Sequence, residues 1–67
     1  MITVFVNGET RMIATKSTLA ELMHELALTG KRIAIEVNQE IVPRNLYDKT
    51  TLCAGDRVEI VQAIGGG

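Results

Sequence analysis

Three stretches of this chain alternate with the two-residue period of a strand and one repeats with the period of a helix, and that combination restricts the fold more than any other feature. Ile2, Val4 and Val6 alternate with Thr3 and Phe5. Ile33, Ile35 and Val37 alternate with Ala34 and Glu36, and Val58 and Ile60 alternate with Arg57, Glu59 and Val61. The runs are rich in β-branched residues, which suit a pleated, half-buried surface. Between the first two runs, Leu19, Leu22, Met23 and Leu26 recur at i, i+3, i+4 and i+7, one apolar stripe of about three helical turns.

Turn chemistry sets the boundaries. Asn7-Gly8 predicts a two-residue hairpin turn in which both central residues take positive φ. The return strand then runs from about Glu9 to Ala14, with either Met12 and Ala14 or Ile13 facing inward according to register. Thr18-Leu19-Ala20-Glu21 reads as a capping box that starts the helix. Gly30 is expected to end it in the left-handed conformation, with Lys31 and Arg32 beside the negative end of the helix dipole. The third strand ends at Asn38-Gln39. Ile41-Val42 forms a short fourth strand that Pro43, lacking a backbone donor, confines to an edge. Asn45 to Thr50 reads as a loop with one tight turn, and Ala54-Gly55-Asp56 as a further turn. This order predicts one α+β domain over residues 1–67, with one main helix packed across a mixed sheet of four to five strands.

Size and composition exclude several functions. A chain of 67 residues lies near the lower limit for folding without disulfide or metal support and spends most of its length on one core. An enzyme pocket of ordinary size would be hard to fit beside it. Seven basic and eight acidic residues, net charge −1, are dispersed along the chain, so no nucleic-acid-binding stripe is expected. Phe5 and Tyr47 are the only aromatic residues, too few for a base-stacking platform. The single cysteine, Cys53, excludes an internal disulfide and a cysteine-rich metal site. With no span-length apolar run and no signal-peptide pattern, a cytoplasmic location without membrane attachment is expected.

The last apolar run leads into Gly65-Gly66-Gly67, and the expected working group is the carboxylate that ends it. Glycine, without a Cβ, can extend, kink and pass through a channel too narrow for other residues. A flexible tail over residues 64–67 would gain its function by being threaded into a partner's active site.

The Asn7-Gly8 turn, the segment Val37-Asn38-Gln39-Glu40-Ile41-Val42-Pro43-Arg44, and Gly55-Asp56-Arg57-Val58-Glu59-Ile60-Val61 running into Ile64-Gly65-Gly66-Gly67 together resemble the ThiS family of sulfur carriers in thiamin biosynthesis. The resemblance covers the whole chain. It implies a β-grasp, ubiquitin-like fold and a carrier without catalytic or metal-binding residues of its own. It further implies that Gly67 is adenylated and converted to a thiocarboxylate that gives its sulfur to the thiazole ring, with Gly66 and Gly65 as flexible tail. The implied partners are a ThiF-like adenylating enzyme, a ThiG-like thiazole synthase and a sulfur donor such as a cysteine desulfurase. ATP and magnesium would be used by the adenylating partner and no cofactor bound here, since the Gly-rich segment opens no helix and is no phosphate loop. The alternatives are a MoaD-like carrier serving molybdenum-cofactor or other sulfur transfer, whose members are usually longer, and a β-grasp binding module whose glycines carry no chemistry.

Partner recognition needs side chains that the tail lacks. If Ile2, Val4 and Val6 face the helix, Phe5 lies on the opposite, open face of the sheet, and Val61 shares that face by the same alternation. With Ile64 they form the expected docking surface close to the tail's exit. Cys53, between Leu52 and Ala54 with no basic neighbour, reads as a buried or half-buried inert thiol. His24 falls off the apolar stripe and reads as solvated. Tyr47 and Arg44 either cover a core edge or join the docking surface.

Overall fold

The computed structural model describes residues 1–62. Asn7 (φ 49°) and Gly8 (φ 85°) both adopt the left-handed conformation, and the tight turn they make joins β1 (Ile2–Val6) to β2 (Glu9–Ile13). A two-residue turn leaves no freedom of register: Val6 stands opposite Glu9 and Ile2 opposite Ile13. Ile13 therefore faces the core and is buried, whereas Met12 is 60% exposed on the other face, which decides between the two readings of this strand.

Helix α1 (Leu19–Glu25) opens on the expected box. The Thr18 side chain accepts from the Glu21 amide, and the Glu21 carboxylate accepts from the Thr18 amide at 2.8 Å. Leu19, Leu22 and Met23 are buried. The helix is seven residues long, shorter than the stripe suggested, and it ends before Gly30. Leu26 is the C-cap and Ala27 takes the left-handed conformation at φ 59°. The Leu28 amide donates to the Met23 carbonyl and the Ala27 amide to the His24 carbonyl, the paired bonds of a Schellman closure. The gain is apolar: Leu28 turns back to pack on the core beside Met23. Gly30 (φ 81°) serves the next turn, where the Lys31 amide donates to the Leu28 carbonyl.

β3 (Ile33–Val37) and β4 (Glu40–Ile41) are joined by Asn38-Gln39, both at positive φ. The stretch read as a loop is a six-residue 3-10 helix, Arg44–Lys49, that follows Pro43. The Leu46 amide donates to the Pro43 carbonyl, and half-buried Tyr47 packs on the core. The Arg44 guanidinium donates to the Lys31 carbonyl at 2.7 Å. Both residues thus belong to the helix side of the sheet, covering a core edge.

β5 (Arg57–Gln62) completes a sheet of order β2-β1-β5-β3-β4. It runs parallel to β1 and antiparallel to β3; the other pairings are antiparallel. This five-stranded mixed sheet with α1 across one face is a β-grasp fold, and β4 lies at the edge where Pro43 requires it. Val4, Ile13, Ile35 and Val58 from the sheet meet Leu19, Leu22 and Met23 from the helix, with Leu52 closing the core. Leu52 is placed by the crossing of two segments: the Leu52 amide donates to the Ser17 carbonyl and the Leu19 amide to the Thr50 carbonyl. Among the described residues no helix is long and apolar enough to cross a membrane.

A non-glycine residue in the left-handed region carries a steric cost of about 1 kcal/mol. Ala27→Gly is therefore expected to raise the urea-unfolding free energy by about 0.5–1 kcal/mol, whereas Ala27→Val should lower it. A glycine variant no more stable than the parent would show that the loop tolerates the strain at no cost.

Candidate functional site

The strand that leads toward the glycines is held from both sides by asparagine side chains. On one side, the Asn7 backbone amide, just past the end of β1, donates to the Val58 carbonyl at 2.8 Å. Having turned into the left-handed conformation, Asn7 then presents its side chain to β5: Oδ1 accepts from the Ile60 amide at 2.7 Å, and Nδ2 donates to the Ile60 carbonyl at 3.2 Å. A carboxamide has the donor and acceptor of a peptide group, so it extends the parallel ladder past the end of β1. On the other side, Asn38 Oδ1 accepts from the Arg57 amide at 2.9 Å and its Nδ2 donates to Asp56 Oδ1 at 3.0 Å. Asp56 Oδ2 accepts from the Cys53 amide, tying in the preceding turn.

The open face carries Thr3 and Phe5 from β1, Thr10 and Met12 from β2, Ala34 and Glu36 from β3, and Arg57, Glu59 and Val61 from β5. Phe5 is half-buried because Arg57, its partner across the parallel pair, lays its guanidinium over the ring at 5.4 Å from the centroid, a cation–π contact. Val61 is 63% exposed and pairs with Ala34. Both expected docking residues are thus on the open face, yet they are not neighbours. Four residue steps along the strand take Arg57 to Val61, about 13 Å, so Val61 stands beside the last described residue and Phe5 at the far end of β5. Phe5 is therefore not close to the tail's exit. Ile64, Gly65, Gly66 and Gly67 lie outside the described residues.

Cys53 is exposed rather than buried or half-buried, although it follows the buried Leu52. His24 is exposed, as expected. Among the described residues no three His, Cys, Asp or Glu side chains come together in a way that could hold a metal ion. Sequence reasoning missed the two asparagine clamps and the Arg57 cover on Phe5. The available signal was the recurrence of Asn at the first position of both hairpin turns, where Asn both tolerates positive φ and carries a free amide.

The model of the ThiS family matches residues 4–67. The chain belongs to the ThiS family. It is 30% identical over 64 residues to the sulfur carrier protein ThiS of Escherichia coli (strain K12), covering 96% of this chain and 97% of that one. The crystal structure of a thiamine biosynthesis protein (ThiS) from Geobacter metallireducens superposes with a TM-score of 0.85 at 30% identity, over 98% of this chain and 100% of that one. A thiazole synthase of Paramagnetospirillum magneticum is 40% identical over 62 residues, 92% of this chain. This ThiS-family chain spans only 19% of that enzyme's length.

Asn7→Ala removes two hydrogen bonds and puts a left-handed strain on alanine. It is expected to destabilise the fold by about 2 kcal/mol in urea unfolding and to speed hydrogen exchange at the Ile60 amide. A loss below ~0.5 kcal/mol would mean that water replaces the side chain without penalty. Phe5→Ala, on the open face, should cost less than ~1.5 kcal/mol, whereas burying the wrong face would give the ~3 kcal/mol or more of a core aromatic. Paired denaturation curves of Phe5→Ala and Val4→Ala distinguish the two.

Proposed function

We propose that this chain is a sulfur carrier of thiamin biosynthesis whose reacting group is the carboxylate of Gly67. The observation that carries the reading is that the ThiS family match runs through residue 67 and so includes Gly65-Gly66-Gly67, on a strand clamped from both sides. A relative named as a sulfur carrier protein matches 96% of the chain.

The chemistry accounts for the division of labour. A terminal carboxylate, with a pKa near ~3.5, is ionised at neutral pH and a poor electrophile. In the proposed cycle a ThiF-like enzyme binds ATP and magnesium, and a Gly67 carboxylate oxygen attacks the α-phosphorus as pyrophosphate leaves. The acyl adenylate then has a good leaving group. A persulfide sulfur, supplied through a donor such as a cysteine desulfurase, attacks the acyl carbon and AMP departs. Reductive cleavage of the S–S bond by a thiol of the donor pathway leaves the thiocarboxylate on Gly67. That group is itself nucleophilic: its sulfur bonds to a carbonyl carbon of the substrate in a ThiG-like thiazole synthase, and attack of a water oxygen on the acyl carbon then breaks the acyl–sulfur bond, leaving the sulfur on the substrate and an oxygen on the carrier without release of free sulfide. The carrier ends as the carboxylate and is used again; it is a cosubstrate and not a catalyst. The similarity to thiazole synthases, which contain a related segment within a longer chain, supports that enzyme as the recipient. Persulfide and thiocarboxylate chemistry suits a reducing cytoplasm.

In this cycle the fold supplies position and the tail supplies access. β5 ends in a fixed direction because Ile60 is held by Asn7, and residues without side chains beyond it can enter a narrow channel. Intact-mass measurement of the chain from growing cells is expected to show a species heavier by the difference between sulfur and oxygen. Gly66→Val should fold as the parent does, with the same melting curve, yet form no adenylate with the adenylating enzyme, because a β-branched side chain blocks the channel. Adenylation of the valine variant at the parent rate would overturn the threading argument.

A further inference from the structure

The side chain that holds the end of β5 belongs to the dipeptide of this chain most open to chemical change. Asparagine is thermolabile, because the backbone nitrogen of the next residue can attack its side-chain carbonyl carbon, and glycine, having no Cβ, obstructs that attack least. Asn7 is followed by Gly8. Both residues are exposed, and no atom beyond the chain neighbours of Gly8 lies within 4 Å of the place its Cβ would take. The other asparagines are followed by bulkier residues, Asn38 by Gln39 and Asn45 by Leu46. The Leu46 amide is in addition engaged by the Pro43 carbonyl.

We propose that Asn7 is a site of spontaneous deamidation and that the reaction releases β5 from its clamp. The Gly8 backbone nitrogen loses its proton and bonds to Asn7 Cγ; the Cγ–Nδ2 bond breaks and ammonia leaves with that proton, so that a cyclic succinimide joins the two residues. Water then adds to one of the ring carbonyls, and the ring C–N bond at that carbon breaks. Opening at Cγ leaves an aspartate. Opening at the backbone carbonyl leaves an isoaspartate, whose main chain runs through the former side chain. Nothing is oxidised or reduced, and water is the co-reactant.

Both products undo the clamp. Asn7 Nδ2 donates to the Ile60 carbonyl and Oδ1 accepts from the Ile60 amide. An ionised aspartate has acceptors alone, so an anionic oxygen would face the Ile60 carbonyl. An isoaspartate adds a backbone atom to a two-residue turn whose tightness sets Val6 opposite Glu9. The same clamp slows the reaction, since the Asn7 carboxamide is turned toward β5 while both bonds are made, and attack waits for it to open. Both bonds are exposed and lie outside the core, so the open form is reached by local opening and not by global unfolding. None of this depends on the carrier reading, because the chemistry is that of the turn and the strand beside it.

The test uses the full chain, kept in warm, mildly alkaline buffer and sampled over days, beside the same chain unfolded in urea. Peptide masses follow Asn7, Asn38 and Asn45. Ion exchange separates the deamidated fraction by its added negative charge, and hydrogen exchange reads the Ile60 amide. In the folded chain Asn7 is expected to react about thirtyfold more slowly than in urea, the factor that two net hydrogen bonds supply, yet ahead of Asn38 and Asn45. The deamidated fraction is expected to melt lower than the parent and to exchange the Ile60 amide faster. Reaction at Asn38 or Asn45 ahead of Asn7 in the folded chain overturns the modification site. A deamidated fraction whose Ile60 amide exchanges as in the parent overturns the release of β5, and equal Asn7 rates in the folded chain and in urea overturn the protection by the clamp.

Discussion

Strand β5 fills its backbone hydrogen bonds against two neighbours, parallel to β1 and antiparallel to β3, and the placement of the remaining elements follows from that. A parallel neighbour cannot be reached by a tight turn, so the chain between β1 and β5 must cross over. It does so with α1 and the 3-10 helix, which cover one face of the sheet and leave the other open. The two hairpins flank the central pair and bring their turn residues, Asn7 and Asn38, against β5. The energetic consequence is economy of material: among the described residues eight hydrophobic side chains are buried as the core, and a full sheet face is kept for other contacts.

Asn7 shows how much one residue can hold together in a domain of this size. Its left-handed backbone makes the turn, its amide bonds to the Val58 carbonyl just past the end of β1, and its side chain continues the ladder to Ile60. A glycine would make the same turn with less strain but would leave the Ile60 amide and carbonyl to water. The strand that points toward the glycines is supported two residues beyond Val58 at the expense of a strained backbone, a trade common where a structure must hold a direction.

The two faces of the sheet answer to different demands. On the helix side, residues such as Val4, Ile35 and Val58 are fully buried, where an unpaired polar group would lose its hydration without compensation, and Arg11, opposite Val4, pairs with Glu25 of the helix. On the open side, exposed apolar residues, an aromatic covered by a guanidinium and a pair of opposed carboxylates occur together. These choices contribute little to stability. A face that is free of folding constraints is the one available for a partner.

The sequence by itself determined the periodicities, and with them the strands, the helix start, the edge position of β4 and the two-faced character of β1 and β5. These depend on neighbours within a few residues: alternation, a capping box, a proline without a donor. The glycine run and the segments around Asn38 and Gly55 also identified the family. Tertiary structure decided the rest. The helix stops at Ala27 and not at Gly30 because Leu28 finds a place on the core, a gain that exceeds the strain on alanine and depends on residues from other elements. Leu52 is drawn in by the crossing near Ser17, while Cys53 beside it is exposed. Phe5 and Val61 share a face but stand at opposite ends of β5, since the register of a parallel pair is set by the crossover and not by either strand. The opposition of Glu36 to Glu59 likewise exists only through the pairing of β3 with β5, between residues 23 positions apart in sequence.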